Sequence, residues 1–163
     1  MEGKVLTPNT EPISAMGAVQ DAVARARPRA ALVKATITAE PGDDSTALAD
    51  RAMVGTILDN LLNNALTYTD HAPTIRISAR RDAGQVAITV TDDGIGITPA
   101  DQPRIFERFA RGTDRITREK PGSGLGLYLS RGLAEQMGGS LKLQASQPGE
   151  GSTFVLRLPP AAS

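Results

Sequence analysis

Cysteine and tryptophan are absent from this sequence, and only three Phe and two Tyr occur among its 163 residues. The missing thiols exclude a disulfide framework and a thiolate-held metal, and they fit a reducing compartment. So few aromatics leave no stacking platform for single-stranded nucleic acid. An excess of one charge is missing too: 18 Lys and Arg face 18 Asp and Glu. Neither a nucleic-acid surface nor a membrane-contacting face is therefore expected. No apolar run approaches the ~20 residues of a membrane-spanning helix. No secretory leader is legible in MEGKVLTPNT, and no internal repeat or low-complexity stretch follows it. What is present is 40% apolar residues in a chain of one-domain length, enough to bury a core without staples.

The hydrophobic pattern predicts alternating helices and strands. Residues 1–13 read as a polar, proline-bearing tail or linker, and residues 161–163 as a second tail. Apolar residues at helical spacing run through 14–33, with Pro28 interrupting near the end. ATITA at 35–39 predicts a short strand and PGDDST at 41–46 a loop. A long helix is expected from about Ala47 to Tyr68, ended by Asp70 to Pro73. TIRISAR and QVAITVTD alternate as a hairpin does, with Asp82 to Gly84 as the turn. Thr98 and Pro99 suit a helix start that continues through RIFERFA at 104–110. The basic stretch 111–124 lacks periodicity and is expected to be a loop. A last helix, about Leu125 to Met137, should stop at Gly138-Gly139. SLKLQAS and STFVLRL, joined by QPGEG, close the chain as two strands. The predicted class is α+β: a two-layer sandwich with a mixed, mostly antiparallel sheet and about three helices on one face.

Three places carry chemistry. In the helix ending LDNLLNNALTY, Ile57, Leu58, Leu61, Leu62, Ala65 and Leu66 form one apolar face. Asn60, Asn64 and Tyr68 make a stripe along its edge. An amide oxygen there can bind Mg²⁺ shared with substrate phosphates; equally, it can satisfy nearby backbone. DDGIGI places a carboxylate at a strand end, where Asp93 suits the exocyclic amine of adenine and Gly94 and Gly96 allow close approach. A plain strand-to-loop turn would use the same residues. GSGLGL at 122–127 precedes a helix, so that Ser123, Gly124 and Gly126 can meet a phosphate at a helix N-terminus. A capped flexible linker is the alternative. Leu127-Tyr128 replaces the Lys-Ser/Thr pair of a Walker loop. The loop also follows an irregular basic stretch, where a dinucleotide fingerprint would open a βαβ unit.

Taken in order, these motifs resemble the catalytic domain of bacterial sensor histidine kinases, within the ATPase superfamily that includes gyrase, Hsp90 and MutL. NLLNNALTYT resembles the N box, DDGIGI the G1 box, RIFERFAR the F box and GSGLGLYL the G2 box. EGSTFVLRLP is similar to the last strand pair. The resemblance spans residues 14–160, with an ATP lid at about 110–123, and implies the Bergerat-type ATP-binding fold. It implies that Asn64 ligates Mg²⁺, that Asn60 lies near the phosphates, and that Tyr68 packs over adenine. Asp93 would read the adenine amine, with Gly94, Gly96 and Ile97 shaping that pocket. Phe106 and Phe109 would anchor the lid, and Arg111 would reach the γ-phosphate. Ser123, Gly124, Leu125, Gly126 and Leu127 would wrap the phosphates, and Ser152 would line the adenine pocket.

The implied activity is transfer of the γ-phosphate of Mg²⁺-ATP to a histidine, with Asn60 and Arg111 in the catalytic set. The only histidine is His71, in the turn DHAPT. The acceptor is therefore expected on dimerisation helices of the same parent kinase outside this sequence, with a response regulator downstream. A cytoplasmic domain is expected, leaving open a membrane-tethered parent. Two departures matter. Thr67 stands where the family often has Lys or Arg, which keeps alive a nucleotide-binding signalling module with weak or no transfer. Asn60 stands where hydrolytic relatives carry Glu; an amide is no general base, so transfer is favoured over hydrolysis. A relative that phosphorylates serine in an anti-sigma circuit is a further alternative.

Overall fold

The structure, a computed structural model, describes residues 7–40, 42, 45–107 and 126–161. Two helices begin at side-chain caps. Ser14 Oγ accepts from the Gly17 N–H at 3.0 Å and opens α1, Ala15–Leu32. Asp50 Oδ1 accepts from the Met53 N–H at 3.1 Å and opens α2, Arg51–Thr67. Each cap satisfies a donor that the first turn leaves unpaired. The third helix, α3, spans Gly126–Gln136. It is followed by Gly138 at φ +80°, the left-handed stop that the Gly-Gly pair predicts.

The strands are β1 (Glu11–Ser14), β2 (Thr36–Ala39), β3 (Thr46–Ala49), β4 (Thr74–Asp82), β5 (Gln85–Asp92), β6 (Ser140–Gln147) and β7 (Gly151–Leu158). Five of them form one sheet in the order β2-β4-β5-β7-β6. Only β2 runs parallel to its neighbour, β4; that pairing needs a crossover, which β3 and α2 supply. The β4–β5 hairpin turns at Ala83 and Gly84, both at positive φ. The α+β sandwich with a mixed, mostly antiparallel sheet is as the pattern predicts.

All six apolar residues predicted for the face of α2 are buried. They lie in one core with Val19 and Ala22 of α1, Ile75 and Ile77 of β4, Ile88 and Val90 of β5, and Leu156 and Leu158 of β7. Helix α2 packs against both α1 and α3. Leu58, fully buried, is worth ~2–3 kcal/mol in transfer free energy alone. Among the described residues no helix is long and apolar enough to cross a membrane.

Four local expectations are corrected. Ala47–Ala49 belong to β3, not to the long helix, because they pair with Glu11–Ile13. The expected tail over 1–13 correspondingly yields Glu11–Ile13 to β1. Backbone contacts bring the far end of the chain to the same strand: Leu48 N–H donates to Pro159 O, and Ala161 N–H to Thr46 O, each at 2.9 Å. Pro28 does not interrupt α1, which continues through it to Leu32. It sits near the C-terminal end, on an exposed side, where the carbonyl it leaves unpaired can turn to water. The helix expected from Thr98 onward is, as far as Glu107, a turn and a short 3-10 segment, Gln102–Arg104.

Candidate functional site

The stripe on α2, the end of β5 and the start of α3 meet. Asn60 Nδ2 donates to Ser130 Oγ at 2.8 Å and to Gly126 O at 3.3 Å. Ser130 is fully buried, so Asn60 ties α2 to the first turn of α3. Gly126 lies against the flat of that amide; a Cβ there would sit 3.8 Å from Asn60 Cγ. One turn on, Asn64 is half-buried, and its side chain makes no hydrogen bond among the described residues. Tyr68 caps α2, half-buried, and its carbonyl accepts from the Ile95 N–H at 3.2 Å. The Gly94 turn after β5 therefore lies at the Tyr68 end of α2, and α3 at the Asn60 end.

Gly94 and Gly96 are needed for reasons that the sequence did not disclose. A Cβ on Gly94 would lie 2.5 Å from the Tyr68 carbonyl oxygen. On Gly96, at φ +74°, it would lie 2.0 Å from the Gln147 carbonyl oxygen. Their bare Cα atoms let backbone approach backbone, seating the strand-end turn against both the α2 terminus and the β6–β7 hairpin. Gly149 N–H donates to Ile95 O at 2.8 Å and completes that seat. Ile97 packs against the core, and its N–H donates to Ser146 Oγ at 2.8 Å. Ser146 Oγ lies 2.8 Å from Ser152 Oγ, so Ser152 reaches the same turn.

The two aspartates of the strand end differ sharply in their surroundings. The Asp93 carboxylate is turned to the rim: Oδ1 accepts from the Thr74 N–H at 2.8 Å and lies 3.3 Å from His71 Nε2. Asp92 Oδ1 accepts from the Gly94 N–H at 2.8 Å. Burial pushes the Asp92 carboxyl above its ordinary range, outweighing the stabilising N–H groups of Gly94 and Ser152. Asp92 continues the inward alternation of Val86, Ile88 and Val90, all buried. Asp92 is thus the more buried of the two strand-end carboxylates, and the sequence reading did not single it out. Counting D-x-G-x-G from the first aspartate, with Gly94 and Gly96, was the available signal.

His71 lies on the rim, its Nδ1 2.8 Å from Asp70 Oδ1. Asp70, and then Asp93, raise its pKa above the ordinary histidine value. Phe106 packs edge-on against Phe154 with ring centroids 6.2 Å apart, and the Arg131 guanidinium lies 5.3 Å above its ring. The segment after the 3-10 turn is thereby pinned to β7 and α3. Leu127 packs against the core. Phe109, Arg111, Ser123, Gly124 and Leu125, with the lid at 110–123, lie outside the described residues.

No cluster of three or more His, Cys, Asp or Glu side chains suited to a metal gathers among the described residues. A divalent cation here would need oxygen donors of another kind. The half-buried amide of Asn64 fits Mg²⁺, which favours oxygen ligands and keeps several for water and phosphate.

The three described helices packed on a mixed, mostly antiparallel sheet define a sandwich of the Bergerat type. Over residues 49–162 the chain matches the family described as histidine kinase-, DNA gyrase B-, and HSP90-like ATPase, and it belongs to that family. The sensor-like histidine kinase SenX3 of Mycobacterium tuberculosis (strain ATCC 25618 / H37Rv) is 36% identical over 159 residues, covering 98% of this chain and 38% of that protein. The sensor histidine kinase MtrB of Mycobacterium leprae is 39% identical over 119 residues, 73% of this chain and 21% of that protein. Full-length ShkA, solved in complex with AMPPNP, superposes with a TM-score of 0.84 at 28% identity, over 98% of this chain and 33% of that one. The ATP binding domain of PrrB from Mycobacterium tuberculosis shares the fold at a TM-score of 0.75 and 23% identity, over 94% of this chain and 99% of that one. The chain thus spans well under half the length of the curated relatives.

Proposed function

We propose that this chain binds Mg²⁺-ATP along α2 and transfers the γ-phosphate to a histidine on a dimerisation and phosphoacceptor segment outside this chain, in two-component signalling. The observation that supports the reading is that the turn held by Asp92 lies against the Tyr68 carbonyl at one end of α2, while Asn60 meets Gly126 of α3 toward the other. Asp92 accepts a hydrogen bond from the adenine amine, and Tyr68 packs beside the base. The nucleotide then lies along the stripe with its phosphates toward Asn60 and α3.

Asn64 would hold Mg²⁺, which when bound offsets the negative charge that repels an attacking imidazole. The N-terminus of α3 offers unpaired N–H groups to phosphate oxygens. Ser123, Gly124, Leu125 and Arg111 join by motif alone. The incoming imidazole nitrogen forms a bond to the γ-phosphorus while the bond to the bridging oxygen breaks, and ADP leaves with the electron pair. No described residue need be a base for that step. Catalysis is then mainly positioning and electrostatics. Tyr128 and Leu129, 40% and 44% exposed on α3, offer an apolar patch beside the phosphate end where an acceptor helix can dock.

The test mixes this chain with the acceptor segment of its parent and ATP labelled at the γ-phosphate. Acid-labile label on the acceptor supports the reading. Tight ATP binding with no transfer would refute it and favour the signalling module that neutral Thr67 keeps in view. Acid-stable label would point to serine instead.

A further inference from the structure

Thr67 lies on the α1 side of the asparagine stripe of α2, and its hydroxyl carries a guanidinium. At ~100° and ~1.5 Å per residue, position 67 falls ~60° around and ~4.5 Å along the helix from Asn64, and ~20° around but ~10 Å along it from Asn60. The Thr67 side chain is buried, 7% exposed. Its Oγ1 accepts from Nη2 of Arg29, a residue of α1 that is 38 positions away in sequence. The packing of α1 on α2 makes that reach possible. One turn earlier on α1, Arg25 Nε pairs with Asp59 Oδ1 at 3.0 Å. Position 59 lies ~100° away from Asn60, on the flank of α2. Arg25 therefore stops at the flank, whereas Arg29 reaches further around, to Thr67 beside the stripe.

The two arginines end on different chemistry. Arg25 is matched by a carboxylate. Arg29 ends on a neutral hydroxyl, and among the described residues it has no ion-pair partner. A guanidinium offers five N–H donors in a planar fork, and the Thr67 hydroxyl takes one. Asp92, Asp93 and Asp70 concentrate negative charge at the Tyr68 end. Among the described residues, no other cationic side chain hydrogen-bonds to the stripe Asn60–Asn64–Thr67–Tyr68.

We infer that Arg29 of α1 is a phosphate-binding residue of this cleft. Thr67 holds its guanidinium one turn from Asn64, and the free N–H groups of the fork meet the oxygens of the phosphates that Asn64 shares through its cation. The inference rests on the nucleotide reading of the cleft. It assigns the positive charge that α2 lacks at position 67 to a neighbouring helix, so that α1 becomes part of the binding site.

The experiment compares ATP, ADP and adenosine binding by calorimetry in wild type, Arg29→Gln, Thr67→Val and the double variant Arg29→Gln/Thr67→Lys. Arg29→Gln should weaken ATP and ADP roughly 10- to 100-fold, the range of a charge-assisted hydrogen bond, and leave adenosine within about twofold. The salt dependence of ATP affinity should flatten with it. Thr67→Val, which frees the guanidinium without removing it, should cost ATP a smaller factor. The double variant should recover most of the loss. A mere tie between α1 and α2 predicts otherwise: ATP and adenosine falling together, or ATP unchanged, overturns the inference while wild-type ATP binding keeps the cleft reading intact. Failure of the double variant to recover also overturns it. If wild type binds neither ATP nor ADP, the nucleotide reading falls and takes this inference with it.

Discussion

Replacing Asp92 by Asn should separate binding from folding. The Asp92 Oδ1 already accepts from the Gly94 N–H at 2.8 Å. An Asn would keep its amide oxygen there and present its NH₂ where Oδ2 stood, toward the amine of the base. A charge-assisted hydrogen bond is lost and a donor faces a donor. The first loss is worth ~1.5–3 kcal/mol, which is ~10- to 150-fold in affinity, and the clash puts the outcome near the upper end. Folding should respond in the opposite sense. The folded-state pKa of Asp92 lies above the ordinary value because burial penalises the charge. For such a group, stability is fully present below the unfolded pKa and is lost as pH rises through the folded pKa. At neutral pH the carboxylate is therefore held at a cost, and the neutral Asn should leave the melting temperature unchanged or raise it. Binding follows the ionised form and should decline on acidification at a higher pH than an exposed aspartate would give. Isothermal titration with ADP and Mg²⁺, beside thermal unfolding, measures both. Asp93→Asn is the control: its carboxylate faces Thr74 and His71, so affinity should stay near wild type. If Asp93→Asn abolishes binding and Asp92→Asn does not, the assignment of the cleft carboxylate is wrong.

Four further outcomes are expected. Gly151→Ala should destabilise by ~3 kcal/mol in urea unfolding, because its Cβ would lie 2.0 Å from the Asp92 carbonyl oxygen at φ +102°. Gly149→Ala, at φ +79° with open space around it, should cost only ~1 kcal/mol. Leu58→Ala should cost ~2–5 kcal/mol in the same assay, since the side chain is fully buried in the core. His71 should titrate above the ordinary histidine value by NMR, and move down toward it in Asp70→Asn, because the Asp70 hydrogen bond is the main cause of the shift. The stability that His71 contributes is present at low pH and is lost as pH rises through its raised folded-state value.

The parts legible in the sequence are those with long periods. The face Ile57 to Leu66 on α2 repeats often enough to fix a helix, and β4 and β5 alternate for eight or nine residues each. Short pieces carried no such signal. TALA abuts the start of α2 and suits either period, so only its pairing with Glu11–Ser14 reveals a strand. EPIS, with a proline, resembles a linker until β3 lies beside it. Pro28 was read by its general cost, yet its place near the exposed end of α1 softens that cost. The aspartate pair shows a different failure. Both residues lie at the strand end, and extending the alternation Val86, Ile88, Val90 by one step selects Asp92. Arg29 gave no signal at all, because its meaning depends on α1 packing beside α2.

The short strand β3 has a mechanical meaning. It pairs with β1 along one side, and it is held by Pro159, Pro160 and Ala161 through backbone contacts. Chain entry and exit are thereby fastened at a single pole of the domain. The amino-terminal side meets the carboxy-terminal side across one strand, and Asp50, which follows that strand at once, is the cap from which α2 and its asparagines project. The helix that carries the asparagine stripe thus starts one residue from the strand on which both ends of the described chain meet.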